Sequence, residues 1–234
     1  MSTLLTRLVG GSPALVAFDL DGTLVDSVPD IALAVDQMRT ALNRPVAGVD
    51  AVRDWVGNGA EMLVKRALAD SSDPQRVAQV SKAQLDEAFP LFRSFYGKCN
   101  GKASQLYDGA TACLQGLHDL GVPLAIVTNK PKMFTDPLLK SLGIAAFFQE
   151  VIGGECFPEK KPSPVALNYL ADKYQAKPDT CLMVGDSKYD VGAARAAGYK
   201  ALAVTYGYNH GEPVSQINPD AVVDNLAELV ATAA

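Results

Sequence analysis

Apolar positions along this chain follow two regimes. Through residues 27–104 they recur every three or four positions. From residue 107 onward, short apolar runs alternate with helical stretches. Ahead of both, Ala14-Leu15-Val16-Ala17 is short, apolar on both faces and preceded by Gly10-Gly11-Ser12-Pro13, which predicts a buried parallel strand. Residues 123–127, 148–152, 181–184 and 201–204 predict four more strands, with 220–223 as an edge strand. Helices are expected over 110–120, 131–142, 163–174 and 189–197, three of them stopped by Gly121, Gly143 and Gly198, and a closing helix over 226–231.

The all-helical stretch has its own punctuation. Ser27 offers a cap with Pro29 in the first turn, and Ile31, Val35, Met38 and Leu42 keep helical spacing up to Asn43-Arg44-Pro45. Helices over 51–56 and 60–69 are separated by Gly57-Asn58-Gly59, the second with Met62, Leu63 and Ala67 inward. A last helix starts near Ser71-Ser72-Asp73-Pro74 and runs toward Tyr96, with a kink expected at Pro90. Alternating strands and helices predict an α/β fold, a Rossmann-like parallel sheet flanked by helices. A crossover between parallel strands needs one helix, so the helical stretch between strand 1 and strand 2 predicts an inserted all-helical cap domain. The expected division is an α/β catalytic core over 1–26 and 105–234 and a helical cap over 27–104.

Composition narrows the partners. With 234 residues, 48% of them hydrophobic, and a net charge of -5, the chain has an ordinary soluble composition that argues against nucleic acid as a main partner. An anionic ligand would have to be met by local cations. Cys99, Cys113, Cys156 and Cys181 are scattered and the histidines do not cluster, so neither a disulfide framework nor a zinc site is expected, and a reducing cytoplasm is the expected location. Residues 1–9 are too short and too polar for a secretory signal, and no run approaches the ~18 apolar residues of a membrane span, so no membrane partner is expected. The oligomeric state is left open.

Candidate chemistry lies at the strand ends. Asp19 and Asp21 follow the first strand in Phe18-Asp19-Leu20-Asp21-Gly22-Thr23, at the edge where open parallel sheets carry their ligand crevice. Acids and glycine are equally ordinary in turns, so this piece alone leaves both readings open. Three further pieces end later strands: Val127-Thr128-Asn129, Lys160-Lys161-Pro162, and Val184-Gly185-Asp186-Ser187 followed by Asp190. Together they resemble the four motifs, in order, of the haloacid dehalogenase superfamily of aspartate-nucleophile phosphohydrolases, over essentially the whole chain.

The resemblance implies roles. Asp19 would be the nucleophile, and Asp21 the acid that protonates the leaving alkoxide and then takes a proton from the attacking water. Mg²⁺ would be held by the Asp19 carboxylate, the Asp21 backbone carbonyl and the Asp186 carboxylate. Thr128 would bond the transferring phosphoryl group and Asn129 would shape its pocket. Lys161 would lie over the phosphoryl oxygens, with Lys160 a solvated neighbour and Asp190 orienting Lys161. Taken locally, Thr128 reads rather as a helix cap, and a helix N-terminal acid is a strong alternative for Asp190. Dehalogenases and phosphonate-cleaving members lack an acid at position 21 in the family pattern, so the resemblance implies a phosphatase or phosphomutase.

Trp55-Val56-Gly57-Asn58-Gly59-Ala60, Val127-Thr128-Asn129-Lys130-Pro131 and Thr205-Tyr206-Gly207-Tyr208-Asn209 are similar to the bacterial phosphoglycolate phosphatases of that family. They imply 2-phosphoglycolate as the small phosphorylated metabolite bound. A phosphatase of another small sugar phosphate, a cap-bearing sugar phosphomutase and a phosphometabolite-binding regulatory protein are the alternatives. Gly57-Asn58-Gly59, opening the helix that carries Lys65 and Arg66, reads as a carboxylate site or equally as a plain glycine turn, with Arg53 as another cation on offer. His118 is expected to be exposed and His210 a loop residue, neither with a role, while Trp55, Met62 and Met133 are expected to pack.

Overall fold

Both faces of the first strand are apolar because the strand is central and covered on both sides. The protein, described in a computed structural model for residues 3–209 and 213–231, begins with α1 (Leu4–Val9), β1 (Leu15–Phe18) and β2 (Val25–Asp26). A helical block follows: α2 (Val28–Ala41), α3 (Val49–Trp55), α4 (Ala60–Ala69), α5 (Pro74–Val77) and α6 (Lys82–Cys99). The chain returns through β3 (Gln105–Leu106) to α7 (Ala110–Asp119), β4 (Leu124–Val127), α8 (Lys132–Ser141) and β5 (Glu150–Ile152). It ends with α9 (Val165–Lys173), β6 (Cys181–Gly185), α10 (Lys188–Ala197), β7 (Lys200–Val204) and β8 (Ala221–Val223). His210 lies outside the described residues.

Six strands form one parallel sheet in the order β5-β4-β1-β6-β7-β8. Val16 and Phe18 face one layer with Leu124, Ile126, Leu182 and Val184, covered by Leu114 and Leu117 of α7. Leu15 and Ala17 face the other with Ala125, Val127 and Met183, covered by α9 and α10. This alternation over a two-sided core is what a continuous apolar run encodes in a parallel strand. From β1 the chain builds β4 and β5 on one side, then β6, β7 and β8 on the other. The switch point therefore falls where β1, β4 and β6 deliver Asp19, Thr128 and Asp186.

The helical block enters and leaves through β2 and β3, an antiparallel pair too short to be read from alternation. Its own core holds Val35, Met38, Trp55, Val64, Phe92 and Tyr96, and Phe134 of α8 and Tyr208 of the loop after β7 pack into it from the sheet side. Asp30, 1% exposed, closes the block. Its carboxylate accepts from the backbone of Gly101, Ala103 and Ser104 at 2.9 Å each and from Ser104 Oγ at 2.5 Å. One side chain thus ties the first helix of the block to the exit of the last.

Several expected elements differ. The long helix after residue 71 is two helices, because Ser81 Oγ accepts from Gln84 N while the Gln84 side chain accepts from Ser81 N and starts α6 afresh. The closing helix is a single 3-10 turn, Leu226–Leu229. Met62 is only half-buried, and Met133 is 51% exposed because α8 turns Phe134, Leu138 and Leu139 inward instead. Trp55 packs and His118 is exposed, as expected.

Candidate active site

Asp19 continues the β1 ladder, its N–H donating to Val184 O at 2.9 Å, so the carboxylate projects from a rigid strand end. Lys161 Nζ lies 2.9 Å from Asp19 Oδ1, without the alignment to donate to it, and donates to Asp190 Oδ1 at 2.5 Å. Asn129 holds the lysine's backbone from both ends: its Oδ1 accepts from Lys161 N at 3.0 Å and its Nδ2 donates to Lys161 O at 3.1 Å. Asp190 satisfies both of its readings. Its Oδ2 caps the start of α10 by accepting from Ser187 N and Oγ at 3.0 and 2.7 Å, while Oδ1 takes the lysine. Burial pulls the Lys161 pKa down, but Asp19 and Asp190 more than offset it, so its ammonium stays charged.

Asp186 is fixed by Thr23 Oγ1 at 3.3 Å and by Tyr208 N at 2.5 Å. Only glycine fits beside it: a Cβ on Gly22 (φ +87) or on Gly207 would stand 2.3 or 2.1 Å from Asp186 atoms. Carboxylate oxygens of Asp19, Asp186 and Asp190 lie within 4.8 Å of one another. Burial pushes the Asp19 carboxyl up to about 6 against the pull of Lys161, with Asp190 adding to the rise. Burial, then Asp190 and Asp19, push Asp186 well above the usual range. Asp19 Oδ1 has no hydrogen-bond partner. An oxygen-only donor set, short of positive charge and with an unsatisfied buried oxygen, fits a hard divalent cation. Asp190 already spends both oxygens on Lys161 and Ser187, which leaves Asp19 and Asp186 as the carboxylates with capacity to spare.

A second cluster surrounds Asp21. Lys130 Nζ donates to its two oxygens at 2.9 and 3.1 Å, and Ser27 Oγ donates to Oδ1 at 2.6 Å. Ser27 is free to do so because the hydroxyl of Tyr208 accepts from Ser27 N and Val28 N at 2.9 and 3.3 Å, capping α2 in its place. Lys130 also donates to Tyr96 Oη of the helical block at 2.5 Å, with its ammonium 4.7 Å from that ring's centroid. Lys130, Ser27, Tyr96 and Tyr208 were given no role at this site by sequence reasoning. For Lys130 the available signal was its place in Thr128-Asn129-Lys130 at a strand end. Thr128 does not cap α8: its Oγ1 accepts from Lys130 N at 3.2 Å, inside the turn that precedes the helix.

The cations expected near Gly57-Asn58-Gly59 are engaged elsewhere. Arg53 stacks 5.1 Å from the Tyr208 ring centroid and faces Asp26 at 3.8 Å, Lys65 pairs with Glu61 at 2.9 Å, and Arg66 donates to Trp55 O at 2.6 Å. The glycine turn instead docks on the sheet side, Gly57 O accepting from Asn129 Nδ2 at 3.2 Å. Between the two sides lies a cavity with Asp19, Asp21 and Thr128 at one end and Leu63, Phe92 and Tyr96 across from them. Its volume is about 40 Å³, where a single water takes roughly 10–15 Å³ on the same measure.

Fold and site together define an enzyme class in which carboxylates and a buried ammonium stand at the switch point of a parallel sheet, beneath a helical cap. The chain belongs to the haloacid dehalogenase-like hydrolases, whose family model matches residues 13–198. It is 49% identical over 216 residues to a phosphoglycolate phosphatase of Vibrio parahaemolyticus, covering 92% of this chain and 94% of the relative. It is 49% identical over 221 residues to one of Pseudomonas fluorescens, covering 94% of this chain and 80% of the relative. A crystal structure of a predicted phosphoglycolate phosphatase from Haemophilus somnus superposes with a TM-score of 0.85 at 37% identity, covering 93% of this chain and 96% of the other.

Proposed function

We propose that this hydrolase is a phosphoglycolate phosphatase, cleaving 2-phosphoglycolate to glycolate and phosphate through an aspartyl-phosphate on Asp19. The observation that carries the chemistry is the pairing of Asp19 with Lys161 at 2.9 Å through Oδ1, a buried oxygen that receives no aligned hydrogen bond. The substrate rests on the named relatives and on a cavity with room for a leaving group of only a few heavy atoms.

In this reading the Asp19 carboxylate attacks phosphorus as the phosphorus–oxygen ester bond breaks, and Asp21 passes its proton to the departing glycolate oxygen. Ser27 and Lys130 aim the Asp21 carboxyl, while Lys161 and the Thr128 hydroxyl meet the equatorial oxygens. A water then attacks phosphorus, Asp21 takes its proton, and phosphate leaves Asp19 restored. The Asp19 and Asp186 carboxylates and the Asp21 backbone carbonyl would hold Mg²⁺, which would supply charge neutralisation when bound. Apolar Leu63 and Phe92 keep bulk water from the acyl-phosphate. Residues 27–104 serve as the cap on a catalytic core of 1–26 and 105–234. We place the protein in the cytoplasm, supported by four free cysteines; among the described residues no helix is long and apolar enough to cross a membrane.

The test is release of phosphate from a panel of small esters, with Mg²⁺ or with chelator. The expected result is the highest kcat/KM for 2-phosphoglycolate, lost on chelation. A preference for a sugar phosphate would overturn the substrate, and turnover in chelator would overturn the metal.

A further inference from the structure

The phosphoryl end of the proposed substrate has its cation in Lys161, but the substrate carries a second anion. Bringing a carboxylate into an apolar cavity without a partner is costly. Among the described residues that line this cavity, Lys130 is the one basic side chain. Its side chain is 4% exposed, and its charge is met by Asp21 alone, since Tyr96 is neutral. Burial holds the Tyr96 phenol well above its ordinary pKa. That hydroxyl accepts from Lys130, and among the described residues its own proton has no acceptor. Two donors, one charged and one unspent, therefore meet at one wall of the cavity.

Their place fits the substrate's length. Resting on the reading above, Asp21 faces the ester oxygen, and one methylene separates that oxygen from the carboxylate. Lys130 Nζ is in direct contact with Asp21 at 2.9 Å, on the side of Tyr96, one step beyond the ester oxygen. Ser27 Oγ still holds Asp21 at 2.6 Å when one ammonium proton turns to another acceptor.

We propose that Lys130 and Tyr96 form the subsite for the substrate's carboxylate, so that this enzyme selects phosphate esters of small 2-hydroxy acids. A core lysine supplies the charge and a cap tyrosine the second hydrogen bond, so the subsite is complete only when the cap lies on the core. The cations on α3 and α4 play no part in it.

The experiment compares kcat/KM for 2-phosphoglycolate and for 2-hydroxyethyl phosphate, its uncharged counterpart, in the wild type, Lys130→Met and Tyr96→Phe. The wild type should favour 2-phosphoglycolate by at least about 100-fold, because a site built around a charged partner rejects the analogue that lacks it. Lys130→Met should bring that ratio down to within about tenfold of unity, and Tyr96→Phe, which keeps the ring and the packing, should lower it about tenfold. Equal losses on both esters, with the ratio unchanged in both variants, would overturn the subsite while leaving the substrate assignment intact. A wild type that does not prefer 2-phosphoglycolate would overturn the assignment and the subsite together. Should Lys130→Met fail to fold, the Tyr96→Phe ratio decides the question alone.

Discussion

The two sides of the cavity are built by opposite rules. On the sheet side polar groups hold one another: Lys161 lies between Asp19 and Asp190, Asp186 between Thr23 and Tyr208, and Asp21 between Ser27 and Lys130. On the helical side the wall is Leu63, Phe92 and the ring of Tyr96, with one hydroxyl facing the lysine. The block meets the sheet side through polar links from Asn129 to Gly57, Lys130 to Tyr96, Asn100 to Phe134, and from Ser27 and Val28 to the Tyr208 hydroxyl. Chemistry is fixed on the side that cannot move without breaking a parallel sheet. In the proposed reading, selection and exclusion of water fall to the helical side.

The largest expected effect breaks the sheet side alone. Asp19→Asn should lower kcat by about 10⁴-fold or more, since the nucleophile is gone, while the melting temperature holds or rises because a buried carboxylate with an unsatisfied oxygen is removed. Circular dichroism melts beside phosphate-release assays check both halves. The opposite dissociation is expected of Asp30→Ala on the helical side. Three backbone N–H groups and Ser104 lose their acceptor, at a cost of about 3–5 kcal/mol, read as a lower urea midpoint.

A smaller effect sharpens the electrostatic contrast. The folded Asp19 carboxyl titrates at about 6, against 3.8 for the ordinary group, so the folded state holds a proton that the unfolded chain gives up. In chelator this contribution is neutral below about pH 4, and stability is lost as pH rises to about 6, by a few kcal/mol. A cation that replaces the proton reverses the loss. The rise in melting temperature on adding Mg²⁺ should therefore be larger at pH 7 than at pH 5, and an equal rise at both would contradict it. The smallest effect is expected outside both regions: Met133→Ser, at a 51% exposed position, should change stability by less than about 0.5 kcal/mol.

What the sequence revealed follows the same division. Strands such as Cys181–Gly185 were legible because a doubly covered parallel strand must be apolar throughout. Asp19, Thr128 and Asp186 stood out at the ends of such strands, whereas Lys161, in the loop well past the end of β5 at Ile152, stood out only through the family resemblance. Lys130 was not, since a lysine ahead of Pro131 looks like any solvated helix start until Asp21 and Tyr96 are brought to it from 109 and 34 residues away. Ser27 was read as a cap because only the tertiary fold delivers the Tyr208 hydroxyl that replaces it. Arg53 and Arg66 left an anion site open beside a plain glycine turn, and in the fold they are engaged by Asp26 and the Trp55 carbonyl. The break before α6 is written in Ser81-x-x-Gln84, a capping-box pattern that starts a helix.

The central claim is that Asp19 accepts the phosphoryl group. The most direct test is rapid acid quench of the wild-type enzyme during turnover of saturating 2-phosphoglycolate with Mg²⁺, followed by peptide mass spectrometry, because an aspartyl-phosphate on the reaction path is present at its steady-state level when the reaction is stopped. The account predicts a phosphoryl group on the peptide carrying Asp19, absent from the Asp19→Asn variant. Wild-type turnover by the Asp19→Asn enzyme, or release of glycolate with no phosphoryl group on that peptide, would contradict it.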